Sequence, residues 1–204
     1  MNGTIWLMRH GALPPNPEGR FVGQQNMPLS ELGRRQALSW RQHWVDIPFV
    51  AIISSDLRRC VETALLVKGE NDIPLIREPA FREISLGAWE GLTPDEVEER
   101  FPGAYAARGK DMAHFRPNGG ESFTDLALRV LPAFGKLAVR YGGHPLLIVG
   151  HAGVNRTIIA HRMAIPLKNI LDIPQHSACC VQLFAQDSAG HHKDGAQGAA
   201  GAGG

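Results

Sequence analysis

The chain has 204 residues, 44% of them hydrophobic and 20% charged, which is typical of a soluble globular protein and excludes wholesale disorder. Lys and Arg together number 21 and Asp and Glu number 20, so the formal net charge is +1. Proteins that bind nucleic acid or anionic membranes normally carry a basic excess, so this balance argues against both kinds of partner. Any anionic ligand must be bound by a local cluster of cations.

The cysteines and the N-terminal segment indicate the cellular compartment in which the protein is expected. Cys60, Cys179 and Cys180 are too few for a disulfide framework and lack the spacing of zinc ligands. No apolar run approaches the roughly 20 residues of a membrane-spanning helix. Only one short apolar segment precedes Arg9 and His10, and it is too short for a signal peptide. We therefore expect a cytoplasmic protein that needs no metal and no cofactor.

The predicted elements begin with an apolar strand at residues 5–8 and a Gly- and Pro-rich loop at residues 11–28. Ser30 is suited to cap a helix that runs to about residue 44. Four apolar side chains are candidates for the buried face of that helix: Leu32, Ala37, Leu38 and Trp40.

A second strand is predicted at residues 49–53, and a helix capped by Ser55 or Asp56 should follow it and end at Gly69. Apolar side chains at helical spacing mark the expected buried face of this second helix: Leu57, Val61, Ala64 and Leu65.

The second half begins with a short strand at residues 74–77. The run Thr93-Pro94-Asp95-Glu96 combines a capping residue, a proline at the first helical position and an acid three residues after the cap, so it opens a short helix. An irregular segment is predicted at residues 103–117, followed by a long helix at residues 121–141 that is kinked at Pro132. A buried strand should follow at residues 146–149, then a helix at residues 153–163 and a last strand at residues 178–184.

Strands alternate with helices, and the strands are apolar throughout rather than at every second residue. Both features predict an α/β fold, a three-layer α/β/α sandwich around a mostly parallel central sheet. Residues 1–187 should form a single catalytic domain. Residues 188–204 are mostly Gly and Ala, which cannot bury enough apolar surface to order the chain, so we expect a disordered tail there.

Polar residues follow three of the predicted strands. They are Arg9-His10-Gly11 after the first, Ser54-Ser55-Asp56-Leu57-Arg58-Arg59 after the second, and Gly150-His151-Ala152-Gly153 after the strand at residues 146–149. Ligands of open α/β sheets bind at the carboxyl ends of the strands. Arginines, histidines and helix N-termini gathered there predict a phosphate pocket, in which the cations would keep a neighbouring imidazole neutral and nucleophilic.

These motifs, in this order, resemble the histidine phosphatase superfamily, which includes cofactor-dependent phosphoglycerate mutases and many phosphomonoesterases. The resemblance covers roughly residues 4–184. The segments that carry it are Arg9-His10-Gly11, Arg20-Phe21-Val22-Gly23, Pro28-Leu29-Ser30, Ser54 to Cys60, Glu83-Ile84-Ser85-Leu86-Gly87-Ala88-Trp89-Glu90-Gly91, Gly119-Gly120-Glu121-Ser122 and Gly150-His151-Ala152-Gly153-Val154. The implied fold is the phosphoglycerate mutase-like fold.

The resemblance also implies a role for each matching residue. His10 would be the nucleophile that becomes phosphohistidine, and Glu83 would protonate the leaving oxygen and then activate water. Arg9, Arg59 and His151 would bind the transferring phosphoryl group. Two further positions match phosphate-contacting positions of the family: Asn16 and Gly23. Two other matching carboxylates are expected to be structural: Glu90 and Glu121.

Departures from the family pattern affect the expected substrate. Ala12 and Leu13 replace the usual Glu-Ser or Glu-Thr, Cys60 stands where Ala is usual, and the Arg pair with which the mutases bind a substrate carboxylate is missing. The sequence therefore favours a phosphatase, closest to the α-ribazole-5′-phosphate phosphatase branch. A mutase-like phosphotransferase and a non-catalytic domain that binds a phosphorylated ligand are the alternatives.

The expected partner is a small-molecule phosphomonoester. Substrate choice is expected to depend on residues 104–116, where His114 and Arg116 are candidates for substrate contact. The sequence leaves a monomer and a homodimer both open.

Overall fold

Five strands form one sheet in the computed structural model, which describes residues 4–184. They are β1 (Thr4–Arg9), β2 (Ala51–Ser54), β3 (Leu75–Arg77), β4 (Leu146–Gly150) and β5 (Cys180–Phe184). Their order across the sheet is β3-β2-β4-β1-β5. The pairs β2–β3, β2–β4 and β1–β4 are parallel, whereas β5 runs antiparallel to β1.

Six α-helices lie within the described residues: α1 (Glu31–His43), α2 (Arg58–Lys68), α3 (Pro94–Arg100), α4 (Ala104–Lys110), α5 (Phe123–Arg140) and α6 (Ala152–Arg162). Short 3-10 turns occur at Pro79–Phe81, Gly87–Trp89 and Leu167–Asp172. Within residues 4–184, no helix is both long and apolar enough to cross a membrane.

The helices cover both faces of the sheet because successive strand side chains point to opposite sides. Ile53 and Ile148 pack on one face with side chains of α5 and α6, including Leu126 and Ile158. On the other face, the neighbouring strand residues pack with side chains of α1 and α2: Ile52, Leu147, Ala37 and Ala64. The predicted three-layer sandwich with a mostly parallel sheet is confirmed.

Several predicted helix ends are also confirmed. The Ser30 side chain accepts a hydrogen bond from the Gly33 amide at 3.0 Å at the start of α1. Thr93 and Glu96 form a reciprocal capping box at the start of α3. Gly69 follows the last residue of α2 with φ 56°, a backbone conformation that glycine adopts without strain.

Two local predictions are wrong. Neither Ser55 nor Asp56 caps α2, which begins at Arg58 after Leu57 without a side-chain cap. The Ser55 hydroxyl instead lies 2.9 Å from Nε2 of His151, the residue that follows the neighbouring strand β4. Residues 103–117, predicted to be irregular, contain α4, whose alanine-rich sequence has high helix propensity.

The apolar faces of α1 and α2 are also narrower than predicted. Leu32, Leu38 and Leu65 are 52%, 41% and 51% exposed. A Cβ on Gly33 would collide with the backbone of Ala12, so α1 packs through its glycine directly against the loop that follows β1. This close approach positions the residues after β1. The predicted tail at residues 188–204 lies outside the described residues.

Candidate active site

The carboxyl ends of three adjacent strands bring the predicted site residues together. The sheet order places β4 between β2 and β1, and Arg9 pairs with Gly150 in register. His10, Ser55 and His151, which directly follow these strands, therefore converge at one edge of the sheet. The rings of His10 and His151 lie edge to face with centroids 5.2 Å apart.

His10 is held as a neutral imidazole with one free nitrogen. Its Nδ1 lies 2.8 Å from the carbonyl oxygen of Gly11, so Nδ1 carries the proton and Nε2 keeps a lone pair. The ring is only 4% exposed. Burial, and then the positive charges of Arg59 and Arg9, lower the pKa of His10 to about 3, whereas its bond to Gly11 acts in the opposite direction.

Arg59, on the first turn of α2, is a buried cation anchored on three sides. Its Nη1 and Nη2 donate to the carbonyl oxygens of Gln25 and Gly23 at 2.6 and 2.7 Å, and its Nε donates to Nδ1 of His151 at 3.2 Å. Arg9, the last residue of β1, donates through Nη1 to the carbonyl oxygen of Gln175. Two guanidinium groups thus lie beside the nucleophile candidate.

The two ring nitrogens of His151 already contact protein groups. Nδ1 lies next to Arg59 Nε, and Nε2 lies 2.9 Å from the hydroxyl oxygen of Ser55 and 3.3 Å from the sulfur of Cys60. Burial and then the positive charges of Arg59 and Arg9 hold the pKa of His151 well below its usual range. The ring is therefore neutral, and its predicted role in phosphate binding stays a prediction.

Glu83 lies at the N-terminal end of α6. Its carboxyl group accepts hydrogen bonds from the amides of Ile84 at 2.8 Å and Gly153 at 3.1 Å. A Cβ at position 153 would collide with this carboxyl group, so any larger residue there would displace the Glu83 side chain. His151 immediately precedes α6, so Glu83 is held at the helix start that follows this histidine.

A cavity of about 430 Å³ opens at His10 and Arg9. Its other lining residues are mostly apolar or uncharged: Leu13, Pro14, Pro15, Asn16, Arg20, Val22, Gln25, Met27, Gly91 and Ser177. Asn16 lines it, and its side chain also bonds to the backbone of Arg20, while its phosphate contact stays a prediction. The cavity has room for a phosphoryl group and the alcohol attached to it.

Gly23 contributes through its backbone. Its carbonyl accepts from Arg59, and at φ 49° a Cβ there would collide with the Glu90 carboxylate. Glu90 accepts from the amides of Gln24 and Leu86, and Glu121 pairs with Arg129. Glu90 and Glu121 are thus structural, as expected.

The structure does not bring His114 and Arg116 to this cavity. Their side chains pair at the surface with Asp111 and Asp125, respectively. A third cation of this segment, Arg108 of α4, places its guanidinium 6.0 Å from the centre of the Trp89 ring. Burial lowers the pKa of Arg108, and the negative charge of Glu83 acts in the opposite direction.

Sequence reasoning missed three residues that build the site. Ser55 contacts His151, and Thr63 accepts a hydrogen bond from the Gly11 amide at 3.1 Å. Arg129 donates to the carbonyl oxygen of Glu83 at 2.9 Å and so holds its loop. The paired serines at the end of β2 were a usable signal for Ser55. Arg129 donates to backbone carbonyls, and because every residue has one, the sequence does not show which of them an arginine will bind.

Acid should destabilise the fold through His10. An ordinary histidine has a pKa of 6.5, so below that pH His10 binds a proton in the unfolded chain. In the folded protein His10 stays unprotonated down to about pH 3. The free energy of unfolding should fall by about 2 kcal/mol between pH 7 and pH 5 from this residue, with His151 adding a fall of the same sign. Above pH 6.5 both states are neutral, and the effect disappears.

Urea unfolding at pH 7 and pH 5 measures this effect. His10→Asn should lose less stability between the two pH values than the unsubstituted protein, because one buried imidazole has been removed. Equal losses in the two proteins would show that His10 is not held neutral by the fold.

Comparison with known proteins places this geometry in a family. Residues 5–193 match the histidine phosphatase superfamily (branch 1). The chain is 34% identical over 170 residues to a glucosyl-3-phosphoglycerate phosphatase of Mycolicibacterium vanbaalenii, covering 80% of this chain and 75% of that protein. It is 30% identical over 175 residues to the adenosylcobalamin/alpha-ribazole phosphatase of Salmonella typhimurium, covering 86% and 87%.

The fold is likewise shared with solved structures. Bacillus stearothermophilus YhfR superposes with a TM-score of 0.81 at 33% identity, covering 88% of this chain and 90% of that one. The predicted phosphoglycerate mutase-like fold is therefore confirmed. Sequence match, fold and the named activities of the relatives agree: the chain belongs to the histidine phosphatase superfamily, branch 1, and is a phosphoric monoester hydrolase.

Proposed function

We propose that this protein hydrolyses a small phosphomonoester through a phosphohistidine formed on His10, and that α-ribazole 5′-phosphate is its substrate. The observation that carries the mechanism is the ring of His10. Its Nδ1 is committed to the Gly11 carbonyl, so the Nε2 lone pair is the atom left for attack. Burial and two guanidinium groups keep this nitrogen unprotonated at neutral pH.

In the first step, Nε2 of His10 attacks phosphorus and the bond from phosphorus to the ester oxygen breaks. Glu83, in its acid form, gives its proton to the departing oxygen, which leaves as an alcohol. Arg9 and Arg59 stabilise the negative charge that spreads over the transferring phosphoryl oxygens. Their guanidinium donors suit phosphate because they are planar and permanently charged.

In the second step, the Glu83 carboxylate accepts a proton from water as the water oxygen attacks phosphorus. The phosphorus–nitrogen bond breaks, inorganic phosphate is released, and His10 returns to its neutral form. The N-terminal end of α6 and the amides of Ile84 and Gly153 hold the carboxylate in place for both transfers.

Activity should not require a divalent cation, because the Arg9 and Arg59 side chains supply the positive charge around the phosphoryl group. Within residues 4–184, His, Cys, Asp and Glu side chains form no group of three placed to hold a metal ion. Exhaustive chelation should leave the hydrolysis rate unchanged within error. Loss of activity on chelation and its recovery with Mg²⁺ or Zn²⁺ would contradict the proposed chemistry.

The substrate assignment is supported by the resemblance to the α-ribazole phosphatase branch and by 30% identity to an enzyme named for that activity. The relative with 34% identity is named for glucosyl-3-phosphoglycerate, so that ester is the direct competitor. Specificity constants for both esters, measured side by side with 3-phosphoglycerate, test the assignment. A preference for α-ribazole 5′-phosphate of tenfold or more is expected.

The same assay separates the alternatives. A mutase-like phosphotransferase would move phosphate between hydroxyl groups of phosphoglycerate instead of releasing it to water. A non-catalytic binding domain would bind phosphate esters and release none. Release of inorganic phosphate at a rate that depends on His10 would support the phosphatase.

A further inference from the structure

We infer that Ser55 is a positioning residue that fixes the tautomer of His151, so that His151 accepts a hydrogen bond from Arg59 and holds its guanidinium in the phosphoryl pocket. His151 thus acts through Arg59. The catalytic consequence rests on the proposed function, whereas the tautomer itself does not.

The tautomer follows from the chemistry of the two neighbours. The Nε of arginine can only donate, so Nδ1 of His151, 3.2 Å away, must be the acceptor and carries no proton. A neutral imidazole then has its proton on Nε2, which lies 2.9 Å from the Ser55 hydroxyl oxygen. Ser55 is the acceptor that makes this tautomer favourable.

The opposite tautomer would oppose the cation. With the proton on Nδ1, the ring N–H would point at the N–H of Arg59, and both donors would be left without an acceptor. His151 and Ser55 are completely buried and Arg59 is 1% exposed, so bulk water cannot replace the lost partner. Nη1 and Nη2 of Arg59 donate to the carbonyl oxygens of Gln25 and Gly23, so His151 is the acceptor that orients Nε.

Cys60 completes the surroundings of Ser55. Its thiol donates to the Gly150 carbonyl at 3.3 Å, and its sulfur lies 3.3 Å from Nε2 of His151. The Ser55 oxygen accepts from the Leu57 amide at 3.3 Å and, in this tautomer, from His151 Nε2 at 2.9 Å. The sulfur is a weaker acceptor than oxygen and would compensate only partly for loss of the serine.

The test compares two adjacent buried serines. Ser54 is also fully buried, but its hydroxyl donates to the backbone carbonyl of Ser55 at 2.7 Å, so Ser54→Ala is the matched control. The probe is inorganic phosphate, whose dissociation constant is measured by calorimetry. Ser55→Ala should weaken phosphate binding and lower kcat/KM by about tenfold, the value of one hydrogen bond, whereas Ser54→Ala should change each by less than twofold.

A spectroscopic measurement makes the inference independent of activity. Nitrogen NMR of histidine-labelled protein, with His151 assigned by its absence in His151→Asn, should show Nδ1 unprotonated and Nε2 protonated. In Ser55→Ala the two tautomers should mix. A protonated Nδ1 in the unsubstituted protein, or equal effects of the two serine substitutions, would overturn the inference. The expected tautomer in a protein that hydrolyses no phosphomonoester would refute only the proposed function.

Discussion

Replacing His10 with asparagine should lower phosphatase activity by about 10⁴-fold or more and abolish the phosphoryl adduct on the enzyme, because no other group supplies the attacking nitrogen. Asparagine keeps a polar side chain in the buried site, but its nitrogen lone pair is delocalised into the amide and is not nucleophilic. His10 Nε2 lies in a pocket whose cations suit a phosphoryl group. The loss should therefore be in the chemical step.

The adduct is measured by mixing enzyme with labelled substrate and denaturing it at alkaline pH within one turnover. Phosphohistidine should survive base and be lost in acid. His43→Asn is the control, because His43 is exposed on α1 and bonds only to a backbone carbonyl of its own helix. Turnover without an adduct, or an adduct that persists in His10→Asn, would refute covalent catalysis by this residue.

Replacing Glu83 with glutamine should slow the hydrolysis of alkyl phosphates by about 10²- to 10⁴-fold, the range typical of general acid catalysis. An alkyl alcohol is a poor leaving group and needs a proton as its bond to phosphorus breaks. Nitrophenolate leaves readily without one, so phosphorylation of His10 by nitrophenyl phosphate should be much less affected. Glutamine preserves the size of the side chain that the amides of Ile84 and Gly153 hold.

Steady-state rates can obscure this difference, because Glu83 also activates water in the second step. Single-turnover phosphorylation of the enzyme isolates the first step, and the two substrates serve as each other's control in one variant. Equal losses for the alkyl and the nitrophenyl ester would remove Glu83 from the role of acid. A loss confined to the second step would leave it only as the base.

Much of the site could be predicted from short motifs because each lies at a strand end. Arg9 and His10 follow β1, and His151 follows β4, so an apolar run and the residues after it were sufficient to place them near one another. Glu83 lies in a loop with no such local signal. Its assignment depended on the resemblance to a family, and the structure adds the helix start that holds it.

The sequence by itself determined the elements whose cause is local: apolar strands, the Ser30 cap, the Thr93 capping box and the glycine end of α2. The sequence-based prediction missed α4, because the flanking Gly and Pro residues indicated an irregular segment. It also placed the cap of α2 at Ser55 or Asp56, because serine and aspartate are common capping residues, whereas the helix begins at Arg58.

Only the tertiary structure decided which partner each buried polar atom finds. Ser55 and His151 are separated by 96 residues along the chain, and they meet because β4 lies beside β2 in the sheet. The antiparallel direction of β5 and the contact of Arg9 with Gln175 likewise depend on strand order. Local patterns act on neighbours in sequence, whereas a buried hydrogen bond is selected by what the packed sheet brings within reach.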